Sequence, residues 1–200
     1  MELHVNFEDM STPAKKRASY AEIEALPRHM VGQIIDGELI AMPRPTGAHS
    51  VATSFLGGDL VNPFGRGRGG PGGWWILDEP ELHFGDDVLV PDLAGWRRSR
   101  LPDPSPAFFT VAPDWICEVL SPSTARHDRV GKLRIYGREG VEHVWLVDPD
   151  AHTLECLKRD GETWSLLGTY ADDERVRATP FDAVEIELSG LWLPQPVDPR

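Results

Sequence analysis

Short apolar runs alternate with turn-forming residues along most of the chain, and this pattern predicts strands joined by tight turns. The first pair of runs, QIIDGELIAM, is divided by Asp36 and Gly37, a dipeptide that favours a two-residue hairpin turn. A later pair, TLECLKRDGETWSLLGTY, is divided in the same way by Asp160 and Gly161. The last segment, VEIELSGLWL, alternates apolar and polar positions and predicts a final strand.

Helical patterns lie between these strands. Ser19 and Glu22 have the spacing of a capping box, which predicts a short first helix. Thr46 is suited to cap a second helix that continues to about residue 60. The apolar stripe expected on this second helix consists of Val51, Phe55 and Leu56. A third helix is predicted from about residue 125 to Glu139, ended by Gly140.

The middle of the chain contains five apolar runs that predict strands, and the last two are apolar enough to be expected at the buried centre of a sheet. They are WWILDEP, ELHFG, DVLVPDLAGW, DWICEVLS and VEHVWLVDPD. The third helix lies between the last two strands, which predicts a right-handed crossover between parallel neighbours. The expected fold class is therefore α/β in the mixed α+β sense, with a mixed central β-sheet flanked by helices and extra β-hairpins.

Length and composition predict a single domain. The chain has 200 residues and seven tryptophans, enough for one sizeable core, whereas two halves would each be marginal. Residues 1–19 are polar and lack periodicity, so we expect a flexible arm followed by one domain over residues 20–196. Residues 62–73 are rich in Gly and Pro and predict a loop, in which Arg66 and Arg68 are expected to be solvated.

Charge and cysteine content narrow the possible functions. The formal net charge of -12 argues against a protein that holds nucleic acid on a broad basic surface. Cys117 and Cys156 both lie in predicted strands, which favours two buried thiols in a reducing compartment over a disulfide. Neither a segment of membrane-spanning length nor a signal-peptide pattern occurs, so the expected location is cytoplasmic, without membrane association.

Two acids occupy positions where burial is expected. Asp92 and Glu118 are each flanked by apolar strand residues, and a buried carboxylate costs several kcal/mol unless it is paired or binds a metal. If the two strands are neighbours, the carboxylates can face each other and Mg²⁺ or Mn²⁺ would relieve their repulsion. The backbone carbonyl of Val119 would be a further hard ligand. The sequence therefore predicts a divalent-cation site.

A positive side chain beside such a site is supplied by the third helix. Lys132 lies at the edge of the apolar stripe expected on that helix and is long enough to reach back over the sheet. The stripe consists of Val130, Leu133 and Tyr136. In a phosphodiester hydrolase the cation would activate a water, and Lys132 would neutralise charge in the transition state.

The chain resembles the Uma2 family of "putative restriction endonucleases" over nearly its whole length, in the segments IIDGELIAMPRPTGAHS, VLVPDLAGW and WICEVLSPSTARHDRVGKLRIYGREGVEHVWLVDPD. The resemblance implies the PD-(D/E)XK nuclease superfamily, whose core is a mixed four-stranded sheet with flanking helices. Pro91 and Asp92 match its PD element, and Glu118 matches the acid of its second element. Leu120 stands where that element has lysine, and the resemblance implies that Lys132 takes over this role.

The same resemblance implies further site residues and partners. Glu38, after the first hairpin turn, and His49, on the second helix, are added as candidate catalytic residues. Gln33 stands where the family often has an acid, which puts a third carboxylate there in doubt. The implied partner is nucleic acid, with DNA as the expected substrate, and a homodimer is the expected assembly.

Structural interpretations of the same residues stay open. Asp92 could be a turn former, Glu118 a salt-bridge partner of Lys132, Lys132 a surface lysine, His49 a core histidine and Glu38 a solvated turn residue. The sequence accordingly allows three functions: an Mg²⁺-dependent endonuclease, a catalytically degenerate binding module, and a metal-dependent hydrolase of a small phosphate ester. We rank them in that order.

Overall fold

A six-stranded sheet forms the centre of the protein, whose computed structural model describes residues 16–194; residues 1–15 of the predicted arm and residues 195–200 lie outside the described residues. The strand order is β10-β9-β8-β7-β6-β3, and only the β7–β8 pair is parallel. The strands are β3 (Trp74–Asp78), β6 (Leu93–Arg97), β7 (Trp115–Val119), β8 (His143–Asp148), β9 (Thr153–Asp160) and β10 (Thr163–Ala171). The mixed central sheet and the crossover between parallel neighbours are thus confirmed.

One helix covers each face of this sheet, because alternate residues of the central strand point to opposite sides. Trp115, Cys117 and Val119 of β7 face a core that includes helix α2 (Gly47–Leu60). Ile116, Glu118 and Leu120 face the other side, where helix α3 (Leu133–Glu139) packs. Every residue of β7 is buried, as expected for a central strand between two layers.

A second sheet of four strands lies beside the central one, in the order β2-β1-β5-β4. Its strands are β1 (Met30–Ile35), β2 (Glu38–Pro43), β4 (Leu82–Phe84) and β5 (Asp87–Leu89). The predicted turn at Asp36 and Gly37 is present, with both residues at positive φ, of 53° and 79°. This first hairpin belongs to the small sheet, whereas the hairpin of β9 and β10 extends the central one.

The segment DVLVPDLAGW is not one strand, as predicted, but two. β5 pairs within the small sheet, and β6 begins only at Leu93 in the central sheet. Pro91 lies in the break, where its lack of an N–H would interrupt any continuous ladder. The break changes the direction of the chain directly beside Asp92.

The predicted capping box of the first helix is confirmed, whereas Thr46 precedes the second helix without a capping hydrogen bond from its side chain, and the predicted stripe is only partly buried. Helix α1 (Tyr20–Glu24) begins at Ser19, whose N–H donates to the Glu22 carboxylate at 2.7 Å. Helix α2 follows Thr46, but Phe55 is 54% exposed. The buried face consists instead of Ala52, Leu56, Gly57 and Leu60.

Two predicted boundaries, those of the loop at 62–73 and of the last hairpin turn, require correction. The predicted loop at 62–73 starts with a π-helical turn, Val61–Gly65, because Phe64 packs on Phe181 with ring centroids 4.7 Å apart. The turn between β9 and β10 lies at Gly161 and Glu162, one residue later than predicted, since Asp160 pairs with Thr163.

The C-terminal segment forms only a short strand. Within the predicted strand VEIELSGLWL, β12 (Ile186–Glu187) pairs with β11 (Arg175–Val176), and a 3-10 helix at Leu188–Leu191 follows. The cysteines match their prediction, since Cys117 and Cys156 are both buried and free. Among residues 16–194, no helix combines the length and apolar character that crossing a bilayer requires.

Candidate active site

Asp92 lies in the break between β5 and β6, beside the end of β7. Its Oδ2 accepts a hydrogen bond from the backbone N–H of Val119 at 2.7 Å, and its side chain is 17% exposed. Because β6 and β7 are neighbours, Asp92 is brought next to Glu118, as the sequence predicted for adjacent strands. The prediction that Asp92 lies within a strand is wrong, however. Asp92 lies in the break between two strands, and this leaves its carboxylate partly open to solvent.

Glu118 projects from the centre of β7 into the layer between the sheet and helix α3. Its Oε2 accepts a hydrogen bond from the Nζ of Lys132 at 2.9 Å. Its Oε1 accepts one from the hydroxyl of Tyr136 at 2.5 Å. The side chain is 2% exposed, so both carboxylate oxygens depend on these buried donors.

A π-helical segment, His127–Lys132, positions the lysine immediately before helix α3. The wider turn changes which side chains face the sheet: Val130, expected in the apolar stripe, is 66% exposed, whereas Lys132 is buried. The interpretation of Lys132 as a surface residue is therefore wrong. Asp128, four residues earlier, is also buried, and its Oδ1 lies 3.0 Å from the Lys132 Nζ.

His49 approaches Asp92 from the first turns of helix α2. Its Nε2 lies 3.1 Å from the Asp92 Oδ1, and its Nδ1 lies 3.5 Å from the hydroxyl oxygen of Thr53. Burial alone would lower the pKa of His49, but the hydrogen bond and the charge of Asp92 outweigh burial and raise this pKa above its ordinary value. His49 and Asp92 thus form an ion pair at the more open side of the site.

Burial and the neighbouring charges shift the pKa values of the groups in the site. Burial raises the pKa of Glu118 to about 8; Lys132 opposes this shift, while Asp128 and Asp92 add to it. Burial alone would lower the pKa of Lys132, but these carboxylates raise it above its ordinary value, so the ammonium stays charged. Burial and the neighbouring Glu118 also raise the pKa of Tyr136, which keeps its hydroxyl a donor.

A cavity of about 260 Å³ connects these groups. One side is formed by the first hairpin, including Gln33, whose Oε1 accepts a hydrogen bond from the Val90 N–H at 2.9 Å. Position 33, which often carries an acid in the family that the sequence resembles, thus lines the cavity, but its side chain here is a neutral amide. Glu79, at the end of β3, adds a further carboxylate to the lining.

Most of the predicted site residues meet in this cavity. The predicted residues among its lining are His49, Asp92, Glu118, Val119 and Lys132. Glu38 is not among them: it is exposed at the start of β2 and lines a separate groove.

Sequence reasoning missed two members of the buried cluster, Asp128 and the hydroxyl of Tyr136. Their spacing offered a signal, because Asp128, Lys132 and Tyr136 recur every four residues and can share one helical face. Tyr136 was expected to contribute its aromatic ring to an apolar stripe, whereas the structure uses its hydroxyl as a donor to Glu118.

The oxygen atoms that could hold a cation come from few residues. Within residues 16–194, no cluster of three or more His, Cys, Asp or Glu side chains has the arrangement of a metal site. Asp92 and Glu118 offer two carboxylates to the cavity, and each carboxylate oxygen that accepts one hydrogen bond retains a second lone pair. Such a pair suits Mg²⁺, which commonly takes one or two carboxylates and fills its other positions with water and substrate phosphate.

Comparison with known proteins gives a family and a fold. The model of the Uma2 family, described as "Putative restriction endonuclease", matches residues 18–189. No curated protein gives a significant match to the chain.

Among solved structures, the crystal structure of a "putative nuclease belonging to DUF820" from Anabaena variabilis ATCC 29413 has a similar fold, with a TM-score of 0.67 and 24% sequence identity. The match covers 87% of this chain and 97% of that one. The predicted fold class is confirmed by this likeness.

Proposed function

This chain belongs to the Uma2 family of "putative restriction endonucleases", and from that premise we propose that it is an Mg²⁺-dependent nuclease that hydrolyses phosphodiester bonds of DNA. The observation that carries the proposal is the meeting of Asp92, Glu118 and Lys132 in one cavity, from three separate parts of the chain. Two carboxylates can hold a cation that activates a water, and an ammonium group can offset the charge that develops on the phosphate. Mn²⁺ has similar ligand preferences and is expected to substitute.

The carboxylates of Asp92 and Glu118 would hold the cation, with the Val119 carbonyl as a proposed third ligand. The raised pKa of Glu118 is consistent with this, because burial and then the charges of Asp128 and Asp92 disfavour its ionised form, which a bound cation would favour. When bound, the cation would lower the pKa of a water and offset the charge of the phosphate.

Lys132 supplies fixed positive charge where the phosphate would develop negative charge. Its ammonium is held between Glu118 and Asp128, at 2.9 and 3.0 Å, so little reorganisation is needed during reaction. Tyr136 fixes the other oxygen of Glu118. His49, beside Asp92, is placed to orient that carboxylate and to exchange a proton with solvent.

Two observations favour a second candidate, the degenerate binding module. Glu118 is already paired with Lys132 and Tyr136, so the buried cluster satisfies its own charges without a metal. The net charge of -12 also disfavours tight binding of a long duplex. A module of this kind would bind Mg²⁺ weakly and cleave nothing.

The test is a cleavage assay with plasmid and oligonucleotide DNA in Mg²⁺, using variants that remove charge but keep shape. Asp92→Asn retains an acceptor for the Val119 N–H, and Glu118→Gln retains one for Lys132 or Tyr136. We expect each to reduce cleavage at least 100-fold, since each removes a proposed metal ligand, while the exposed Asp150→Asn leaves the rate unchanged.

Other results would favour other functions. Wild-type protein that folds but cleaves no DNA would contradict the proposal. Hydrolysis of bis(p-nitrophenyl) phosphate without DNA cleavage would instead indicate a small phosphate ester as substrate. Cytoplasmic location and a homodimer remain predictions, which cell fractionation and light scattering can check.

A further inference from the structure

The catalytic candidates lie at the bottom of a recess. The side chains of Glu118, Lys132 and Asp128 are at most 4% exposed, whereas the residues of the rim are exposed or partly exposed. The rim is formed by the segments 43–46 and 121–124. The cavity of about 260 Å³ is smaller than the roughly 300–1,000 Å³ of common ligand pockets. A substrate must therefore enter with a narrow part of its structure.

A DNA duplex fits such a recess poorly. Its persistence length is about 50 nm, so a duplex presents its phosphates on a stiff rod and cannot fold one of them inward at little cost. A single strand turns freely about its backbone and can insert one phosphodiester between two walls. The depth of Glu118 and Lys132 thus favours an unpaired strand.

The first hairpin provides a path that leads away from the recess. Side chains alternate along a strand, so Val31 and Ile35 share one face of β1, and their cross-strand partners Met42 and Glu38 share that face of β2. Val31 and Met42 line the site cavity, whereas Ile35 and Glu38 line a neighbouring groove of about 350 Å³, the hairpin groove. Four residues along a strand span roughly 13 Å, enough for a short run of nucleotides.

The chemistry of the hairpin groove suits unpaired nucleotides. The groove is lined by charged residues of both signs together with the apolar Ile40 and the 66%-exposed Val130, and these two side chains can contact base faces that are accessible only in a single strand. Arg126 lies at this groove and Arg44 at the rim of the site cavity, and both are exposed. Among residues 16–194, the side chain of neither arginine forms an ion pair or a hydrogen bond.

From these features, and resting on the proposed nuclease function, we infer that the substrate is single-stranded DNA laid across the hairpin face. The scissile phosphate enters the site cavity between the two rim segments. Arg44 contacts a phosphate at the entrance, and Arg126 contacts one further along the strand. A short footprint of this kind also fits the net charge of -12, because it needs only two free arginines rather than a basic surface.

The inference is tested by fluorescence anisotropy with one labelled oligonucleotide, either single-stranded or annealed to its complement. Measurement in EDTA separates binding from cleavage. Arg44→Ala and Arg126→Ala remove the proposed contacts. Arg68→Ala is the matched control, because it also removes an exposed arginine. Arg68 lies beyond the C-terminal end of helix α2, whereas His49 lies near its N-terminal end, roughly 20 Å from Arg68.

We expect the single strand to bind at least tenfold more tightly than the duplex. Each contact variant should weaken this binding about fivefold and reduce the slope of log K against log salt by about 0.7, the value for one phosphate contact in a single strand. Arg68→Ala should change neither quantity. Duplex binding as tight as that of the single strand, or an equal loss in Arg68→Ala, would overturn the inference.

The two proposals fail in different ways. Single-strand binding with the expected arginine dependence, but without cleavage in Mg²⁺, would sink the nuclease function and leave the strand preference intact. Duplex cleavage at the single-strand rate, unaffected by Arg126→Ala, would keep the nuclease and remove the single-strand substrate.

Discussion

Asp92 and Glu118 lie beside each other at neighbouring strands, yet their surroundings differ. Glu118 belongs to a closed half of the site, together with Asp128, Lys132 and Tyr136, where every charged group is at most 4% exposed. Asp92 belongs to an open half, with His49, where the side chains are 17% and 12% exposed. The closed half holds charge in a fixed arrangement, whereas the open half gives access to water and substrate.

This difference shows how one site meets two opposed requirements. Buried charges are held strongly but tolerate no loss of a partner, because an unpaired charge cannot be solvated. Partly exposed charges contribute less to stability but can exchange protons and ligands. We therefore expect substitutions in the closed half to cost folding stability first, and substitutions in the open half to cost activity first.

The largest effect on stability is expected for Lys132→Met. Removing the ammonium leaves Glu118 and Asp128 buried without their cation, which costs about 3–5 kcal/mol in comparable buried pairs. Denaturant unfolding measures the loss. Lys158→Met, at an exposed lysine, is the matched control and should change the free energy of unfolding by less than about 1 kcal/mol. Equal effects of the two variants would mean that the closed half is not tightly paired.

A smaller effect is expected for Tyr136→Phe, which removes one buried donor to Glu118. A hydrogen bond to a charged group contributes about 1.5–3 kcal/mol, so a loss in this range is expected by denaturant unfolding. In Tyr170→Phe the lost hydroxyl has no hydrogen-bond partner among the described residues, and the free energy should stay almost unchanged. A neutral Tyr136→Phe would show that Glu118 does not depend on this hydroxyl.

The effect of His49→Gln on the free energy of unfolding should depend on pH, because His49 is paired with Asp92 in the open half. The pKa of His49 is raised in the folded protein, so its charge contributes stability in full below about pH 6.5, the unfolded value, and this contribution is lost as the pH rises through the folded pKa. In EDTA, the stability difference between wild type and His49→Gln should therefore shrink between pH 6 and pH 9. A difference that grows over this range would contradict the ion pair with Asp92.

The smallest effect is expected for the exposed pair of Arg129 and Glu155, whose side chains are 41% and 28% exposed. Arg129→Met should lower the free energy of unfolding by no more than about 1 kcal/mol, and 1 M salt should remove most of that loss. Because Arg129 lies in the same π-helical segment as Lys132, this variant shows whether burial, rather than position in the segment, sets the cost. A loss as large as that of Lys132→Met would contradict this view.

The sequence predicted most of the fold because local signals and tertiary packing agree there. The Asp36 and Gly37 turn, the Ser19 cap and the apolar β7 each carry their structure in a few neighbouring residues. The interruption of the strand at Pro91 was not predicted, because the residues on both sides of the proline are apolar. Those before it pair in the small sheet, and those after it pair in the central sheet. Which sheet a strand joins depends on distant partners.

The site was predicted in part for a related reason. The acids Asp92 and Glu118 stand out in apolar segments, but Asp128 and Lys132 lie in a π-helical turn, where the buried positions do not follow the predicted apolar stripe. That turn replaces i→i−4 with i→i−5 hydrogen bonds and shifts every later side chain around the helix axis. A calculation at 3.6 residues per turn places Val130 inward, where the structure places Lys132 and Asp128.

Mg²⁺ titration by calorimetry measures whether Asp92 and Glu118 together hold a divalent cation. The measurement compares wild type, Asp92→Asn and Glu118→Gln, with unfolding curves to confirm that each variant is folded. We expect one Mg²⁺ per chain in the wild type and at least a tenfold loss of affinity in each variant. Wild-type affinity in both folded variants, or no binding to the wild type, would contradict the account and favour a self-neutralised binding module.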